Sequence, residues 1–68
     1  MTKGEAVRAI GTVVEYVEAG LRGVCLAAED WEDPATLRVA FLVFVRPVGG
    51  GTEWTAPPSK VRRVVNSG

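Results

Sequence analysis

The chain has 68 residues, 47% hydrophobic and 24% charged, with eight basic and eight acidic side chains, one cysteine and no histidine. That length allows one domain, which buries only about 60% of the surface its unfolded chain exposes, so a marginal core is expected. The lone Cys25 excludes an internal disulfide, and without histidine a Cys/His zinc site is excluded too. Self-association then remains as a way for so small a scaffold to gain stability.

The charges are segregated along the chain. Residues 1–35 carry three basic and seven acidic groups, a net of −4, and residues 36–68 carry five basic groups and one acidic, a net of +4. Two readings follow. The halves pair as neighbouring strands and offset each other, or they form a dipolar surface that orients a partner.

In chain order, residues 1–10 read as an N-terminal arm or the start of a first strand. Lys3, Glu5 and Arg8 interrupt any apolar run there, which argues against a signal peptide. Gly11–Glu18 and Leu21–Ala28 flank Ala19-Gly20 and read as a β-hairpin. A helical stripe competes with this over residues 5–19, since Val7, Ile10, Val14, Val17 and Leu21 recur at helical spacing. Gly11, Thr12 and the valines are poor helix formers and favour strands. Glu29–Thr36 follows as an acidic loop with Trp31 inside it.

Leu37–Arg46 is the surest strand, rich in β-branched and aromatic residues and closed by Pro47. Leu37, Val39, Phe41, Val43 and Val45 form one wholly apolar face, expected as core. The other face, Arg38, Ala40, Leu42, Phe44 and Arg46, is too apolar in its middle for a plain solvent face. Gly49-Gly50-Gly51 reads as a turn rather than a phosphate cradle, because no helix and no Lys-Ser/Thr pair follows. Thr52–Thr55 is a short strand. Pro57–Lys60 cannot continue a ladder and predicts a tight or 3₁₀ turn. Val61–Val65 is the last strand, and residues 66–68 are a frayed tail. No apolar run approaches the ~18 residues of a membrane span, and a cytoplasmic setting is the default.

This order, together with Pro58-Ser59-Lys60-Val61-Arg62 before the closing strand, resembles SH3-like small β-barrels over residues 11–65. The resemblance implies an all-β, five-stranded SH3-like small barrel with a one-turn 3₁₀ helix before the last strand. In that family loop and strand aromatics form a shallow groove for a peptide or partner chain, and some members bind nucleic acid. The Ala-Leu-Tyr-Asp-Tyr stretch that builds the polyproline groove of signalling SH3 domains is absent. Val45-Arg46-Pro47 followed by Gly49-Gly50-Gly51-x-Glu53-Trp54 also resembles a pattern in short uncharacterised actinobacterial proteins, which implies no activity.

Catalysis is not expected, since no histidine is present for acid–base work and Cys25 sits among apolar strand residues as an inert thiol. Only an enzyme assembled around a shared pore of an oligomer would escape this, and no cofactor motif supports one. Glu29, Asp30, Glu32 and Asp33 lack calcium-loop spacing and read as a solvated acidic segment. No cofactor or metal is implied. The aromatics carry the functional expectation. Tyr16, Trp31, Leu42, Phe44 and Trp54 are candidates for docking a protein partner or a second copy, in a non-enzymatic interaction module. Trp54 and Phe44 have an alternative reading as residues that simply close the barrel, which for Trp54 stands equal to the docking role. The alternative is a nucleic-acid-binding barrel using Arg46, Lys60, Arg62 and Arg63, with Trp54 as a stacking platform.

Overall fold

The computed structural model describes residues 1–64 and shows one antiparallel five-stranded sheet preceded by a short helix. Val65, the expected end of the last strand, and the expected tail 66–68 lie outside the described residues.

Residues 1–10 do not start a strand. They fold as helix α1, Lys3–Arg8. The cause is local: the Thr2 hydroxyl accepts from the Glu5 amide at 3.1 Å while the Glu5 carboxylate accepts from the Thr2 amide at 2.9 Å. This reciprocal capping box satisfies two amides that a helix start leaves unpaired. The same backbone and hydroxyl bonds hold Glu5 below its ordinary carboxyl pKa. Ala6 of α1 and Ala9, its C-cap residue, are completely buried. Gly11, at φ +87°, then breaks the helical stripe, and Val14 belongs to a strand.

The strands are β1 Val13–Tyr16, β2 Leu21–Glu32, β3 Val39–Pro47, β4 Trp54–Ala56 and β5 Val61–Arg63, in the order β4-β3-β2-β1-β5. The β1–β2 connection is Val17–Gly20, four residues rather than two, and Gly20 takes φ +66° to close it. The 3₁₀ helix η1, Pro58–Lys60, stands before the last strand as expected.

β4 and β5 occupy opposite edges, yet only Pro57–Lys60 joins them. In a flat sheet the edges would lie about 19 Å apart. The connection reaches only about 13 Å with its 3₁₀ turn. The sheet is therefore curled, and the Tyr16 and Trp54 rings, three strands apart, meet at 5.9 Å across its inner face. Among the described residues no ladder links β4 to β5, so the sheet is open rather than closed into a barrel.

The inner face carries the core: Val14, Cys25, Val43, Val45, Ala56 and Val61, with Ala6 of α1 and its C-cap residue Ala9. Cys25 is buried, and burial pushes its thiol pKa up, as an inert thiol requires. The β2–β3 register shifts between Cys25 and Ala27. This bulge lets Cys25 and Ala28 both face inward although they are three residues apart.

Two expectations about the middle of the chain are corrected. The acidic loop Glu29–Thr36 is not a loop throughout, because β2 runs on to Glu32 and pairs Glu29, Asp30, Trp31 and Glu32 with Leu42, Phe41, Ala40 and Val39. The backbone of β3 needs partners along its whole length, and β2 supplies them. The turn is Asp33–Arg38, closed by the Asp33 amide to the Arg38 carbonyl and the Leu37 amide to the Asp33 carbonyl. Leu37 accordingly leaves the strand, at φ +58°. The second correction concerns the apolar face of residues 37–45: only Val43 and Val45 are buried, Phe41 is half-buried, and Leu37 and Val39 are 71% and 61% exposed. They lie beyond the reach of α1 and β4.

Candidate interaction surfaces

β1 pairs with β2 at Leu21–Val24, and β4 pairs with β3 only at Val43–Val45. Beyond these limits, Glu29–Glu32 and Val39–Leu42 have no strand partner but each other, and on the inner face the Lys3 ammonium lies 5.4 Å over the Phe41 ring. The two segments form a two-stranded arm leaving the curled sheet, which gives the molecule dimensions of 43 × 26 × 20 Å.

Cross-strand partners share a face. Val43 and Val45 point inward, so Trp31, Ala40, Glu29, Leu42, Ala27 and Phe44 lie together on the outer face, where no element packs among the described residues. Trp31 is 43% exposed, and Leu42 and Phe44 are half-buried by their strand neighbours. Val24 on the same face is paired with Arg46, and Val13 is paired with Val24, so the apolar surface continues onto β1. Sequence reasoning missed Val13 and Val24 because their side of the hairpin depended on the register.

The five aromatic and apolar candidates therefore divide. Trp31, Leu42 and Phe44 share the outer face, whereas Tyr16 and Trp54 pack on the core. Tyr16 alternates with buried Val14, and Trp54 pairs with buried Val45, which carries both rings inward. Trp54 is thus a core residue. Its indole N–H is buried with no hydrogen-bond partner among the described residues.

The basic candidates divide as well. Arg46 stands on β3, 3.8 Å from Glu53 and exposed. Arg62 lies across the sheet on β5, with its Nε 2.9 Å and Nη2 2.6 Å from Glu15. Arg22 Nε holds the other Glu15 oxygen at 3.1 Å. These guanidiniums, Arg22 first, keep the Glu15 carboxyl below its ordinary pKa. Lys60 bonds Glu18 at 2.7 Å, which raises the lysine pKa. Among the described residues Arg8 and Arg63 have no ion-pair partner. With Arg62, Met1, Glu5 and Val61 they line an open cleft of about 440 Å³, and a smaller cleft lined by Arg22, Arg62, Arg63 and Val64 adjoins it.

The first reading of the charge segregation holds in part: β1 pairs acid with base across β5, through Glu15 with Arg62 and Glu18 with Lys60 beside them, while Glu29, Asp30, Glu32 and Asp33 on the arm have no ion pair among the described residues. Because these acids alternate between faces of one strand, they do not converge, and no metal-binding group occurs among the described residues. Among the described residues no helix is long and apolar enough to cross a membrane.

No family model matches this chain, and no curated protein or solved structure is significantly similar to it.

Proposed function

We propose that this domain is a non-enzymatic protein-interaction module of the SH3-like small β class that docks a protein partner or a second copy through the outer face of its β2–β3 arm. The observation that carries the reading is the arm itself: two strands extend past β1 and β4, and Trp31 stands exposed on their outer face beside Leu42 and Phe44. Exposed aromatic side chains beside apolar strand residues are the types that dominate interface energies. Trp31, Leu42 and Phe44 are the contacting residues in this reading, and Tyr16 and Trp54 shape the core beneath them.

The test places a photoreactive benzoylphenylalanine at Trp31 and, as a control, at the exposed Val48 in the turn after β3, outside the arm. Irradiation with cell extract or with the pure protein should give adducts through position 31 and not through position 48. Equal labelling at both positions, or none at 31, would overturn the reading.

A second reading rests on the arginine-lined clefts beside β5, which offer Arg8, Arg62 and Arg63 to the phosphates of a nucleic acid. Glu15 already pairs with Arg62, Glu5 lines the same cleft, and the inward-facing Trp54 supplies no stacking platform. Binding to a single-stranded oligonucleotide that falls steeply with added salt would favour it. No binding at low salt would remove it.

A further inference from the structure

The arm has two free edges, and they differ chemically. The β2 edge, Glu29-Asp30-Trp31-Glu32, carries three acids, which guard it against pairing with another strand. The β3 edge, Val39-Ala40-Phe41-Leu42, carries no charge and has high strand propensity. Its hydrogen-bonding direction can be read from the turn. The Arg38 carbonyl accepts from the Asp33 amide and so points toward β2. By alternation, Val39 and Phe41 direct their N–H and C=O groups away from β2, and no other element bonds them among the described residues.

This free window has fixed ends. At one end, Leu37 turns out of the strand at φ +58°. At the other, the β4 ladder begins at Val43. Resting on the docking reading above, we infer that the occupant of this edge is a second copy of the chain, paired antiparallel about a two-fold axis through Ala40.

The register follows from the window. Antiparallel partners must share a face, so a two-fold pairing is centred on a residue. Centring on Phe41 would set Val39 against Val43, which β4 already occupies. Centring on Val39 would bring Leu37 into the ladder, which its left-handed backbone forbids. Ala40 on the axis matches Arg38 to Leu42 of the second copy and uses the whole window. Val39 and Phe41 then exchange both bonds with Phe41 and Val39 of the second copy, which satisfies every free group on both edges.

Charge and shape agree with that register. Glu29 stands beside Leu42 on the outer face. Arg38 of one copy therefore shares a row with Glu29 of the other, about 10 Å away across two strand spacings and within reach of an arginine side chain. Each Trp31 is cross-strand to its own Ala40. Two alanines at the axis thus leave room for the two exposed indoles to lie along the outer face. The contact is smaller than the roughly 1,200 Å² of a standard interface, so an affinity in the micromolar range is expected.

Ala40→Cys tests the register directly. At the axis the two Cα atoms would lie about 4.5 Å apart, inside the range a disulfide bridges. The only native thiol, Cys25, is buried. Mild oxidation at micromolar concentration should convert Ala40→Cys to a species of twice the 7.2 kDa chain mass at least tenfold faster than Val48→Cys. Ala40→Glu should weaken self-association at least tenfold by sedimentation with an unchanged melting curve. Arg38→Glu and Glu29→Arg should each weaken it, and the double variant should restore it. Oxidation of Ala40→Cys no faster than Val48→Cys, or a monomer at the highest soluble concentration, would overturn the inference. If position 31 then still captures a different protein, the docking reading stands without the second copy. If it captures nothing, both fall.

Discussion

Gly23→Ala tests the β2–β3 register on which every statement about faces depends. Gly23 is buried in β2 opposite Pro47, and its backbone is not in the left-handed region, so the demand there is for space. A Cβ at this position would overlap the Arg46 carbonyl oxygen and would sit 2.5 Å from Val45 Cγ1 and 2.8 Å from the Arg46 carbonyl carbon. Carbon atoms pack at about 3.5–4.0 Å, so β3 would have to retreat by roughly 1 Å. Val45 is fully buried and cannot swing aside. Overpacking of this kind costs about 1–3 kcal/mol or more. The entropy lost from the unfolded chain returns only about 0.4–1 kcal/mol. A net loss of about 1–2 kcal/mol is expected, against a total stability of roughly 3–10 kcal/mol for 68 residues. The melting temperature should fall by about 5–15 °C. Denaturant unfolding followed by circular dichroism measures this. A variant within 0.5 kcal/mol of the parent, well inside the ~2 kcal/mol expected from overpacking, would refute the close approach of β3 to Gly23 and the register with it.

Three further outcomes follow. Glu15 has a pKa below the ordinary 4.5 because Arg22 and Arg62 bind its ionised form, so its contribution is complete above 4.5 and is lost as pH falls toward the lowered value. Melting curves from pH 7 to 3 should show this loss, and Glu15→Gln should be less stable than the parent at pH 7 and converge with it in acid; a constant gap would contradict the ion pairs. Trp54→Phe removes the unpartnered buried indole N–H, a relief of about 1–3 kcal/mol that offsets a similar loss of packing. Its stability should therefore stay within about 1 kcal/mol of the parent, while Tyr16→Ala, which strips the ring packed against it, costs about 2–4 kcal/mol. Alkylation of Cys25 should be negligible in the native protein and should follow the denaturant unfolding curve; prompt native labelling would show that the thiol is not in the core.

The strands of this fold were legible where local chemistry and tertiary pairing agree. Val13–Tyr16 and Val39–Pro47 are β-branched and aromatic, and Gly20, Pro47 and Pro57 mark their ends. Legibility failed where a distant partner decides. Glu29–Glu32 has the composition of a loop, and only its pairing with β3 makes it a strand. The bulge after Cys25 interrupts alternation, so inward and outward residues of β2 cannot be extrapolated from one end to the other. α1 was present in Thr2-x-x-Glu5, but a helix of six residues is too short for apolar periodicity to reveal. The candidate site was half legible. Trp31 stood out as an aromatic among acids, whereas the inward turn of Tyr16 and Trp54 depends on the curl of the whole sheet.

The central claim is that the β2–β3 arm is the docking surface and that a second copy occupies its β3 edge. Amide hydrogen exchange across a protein concentration series reads this without substitution. The account predicts that the outward amides of Val39 and Phe41 exchange rapidly in dilute solution and gain protection as concentration rises, while the β1–β2 ladder stays constant. Protection at these two amides that does not change with concentration, or that appears instead along Val61–Arg63, would contradict it.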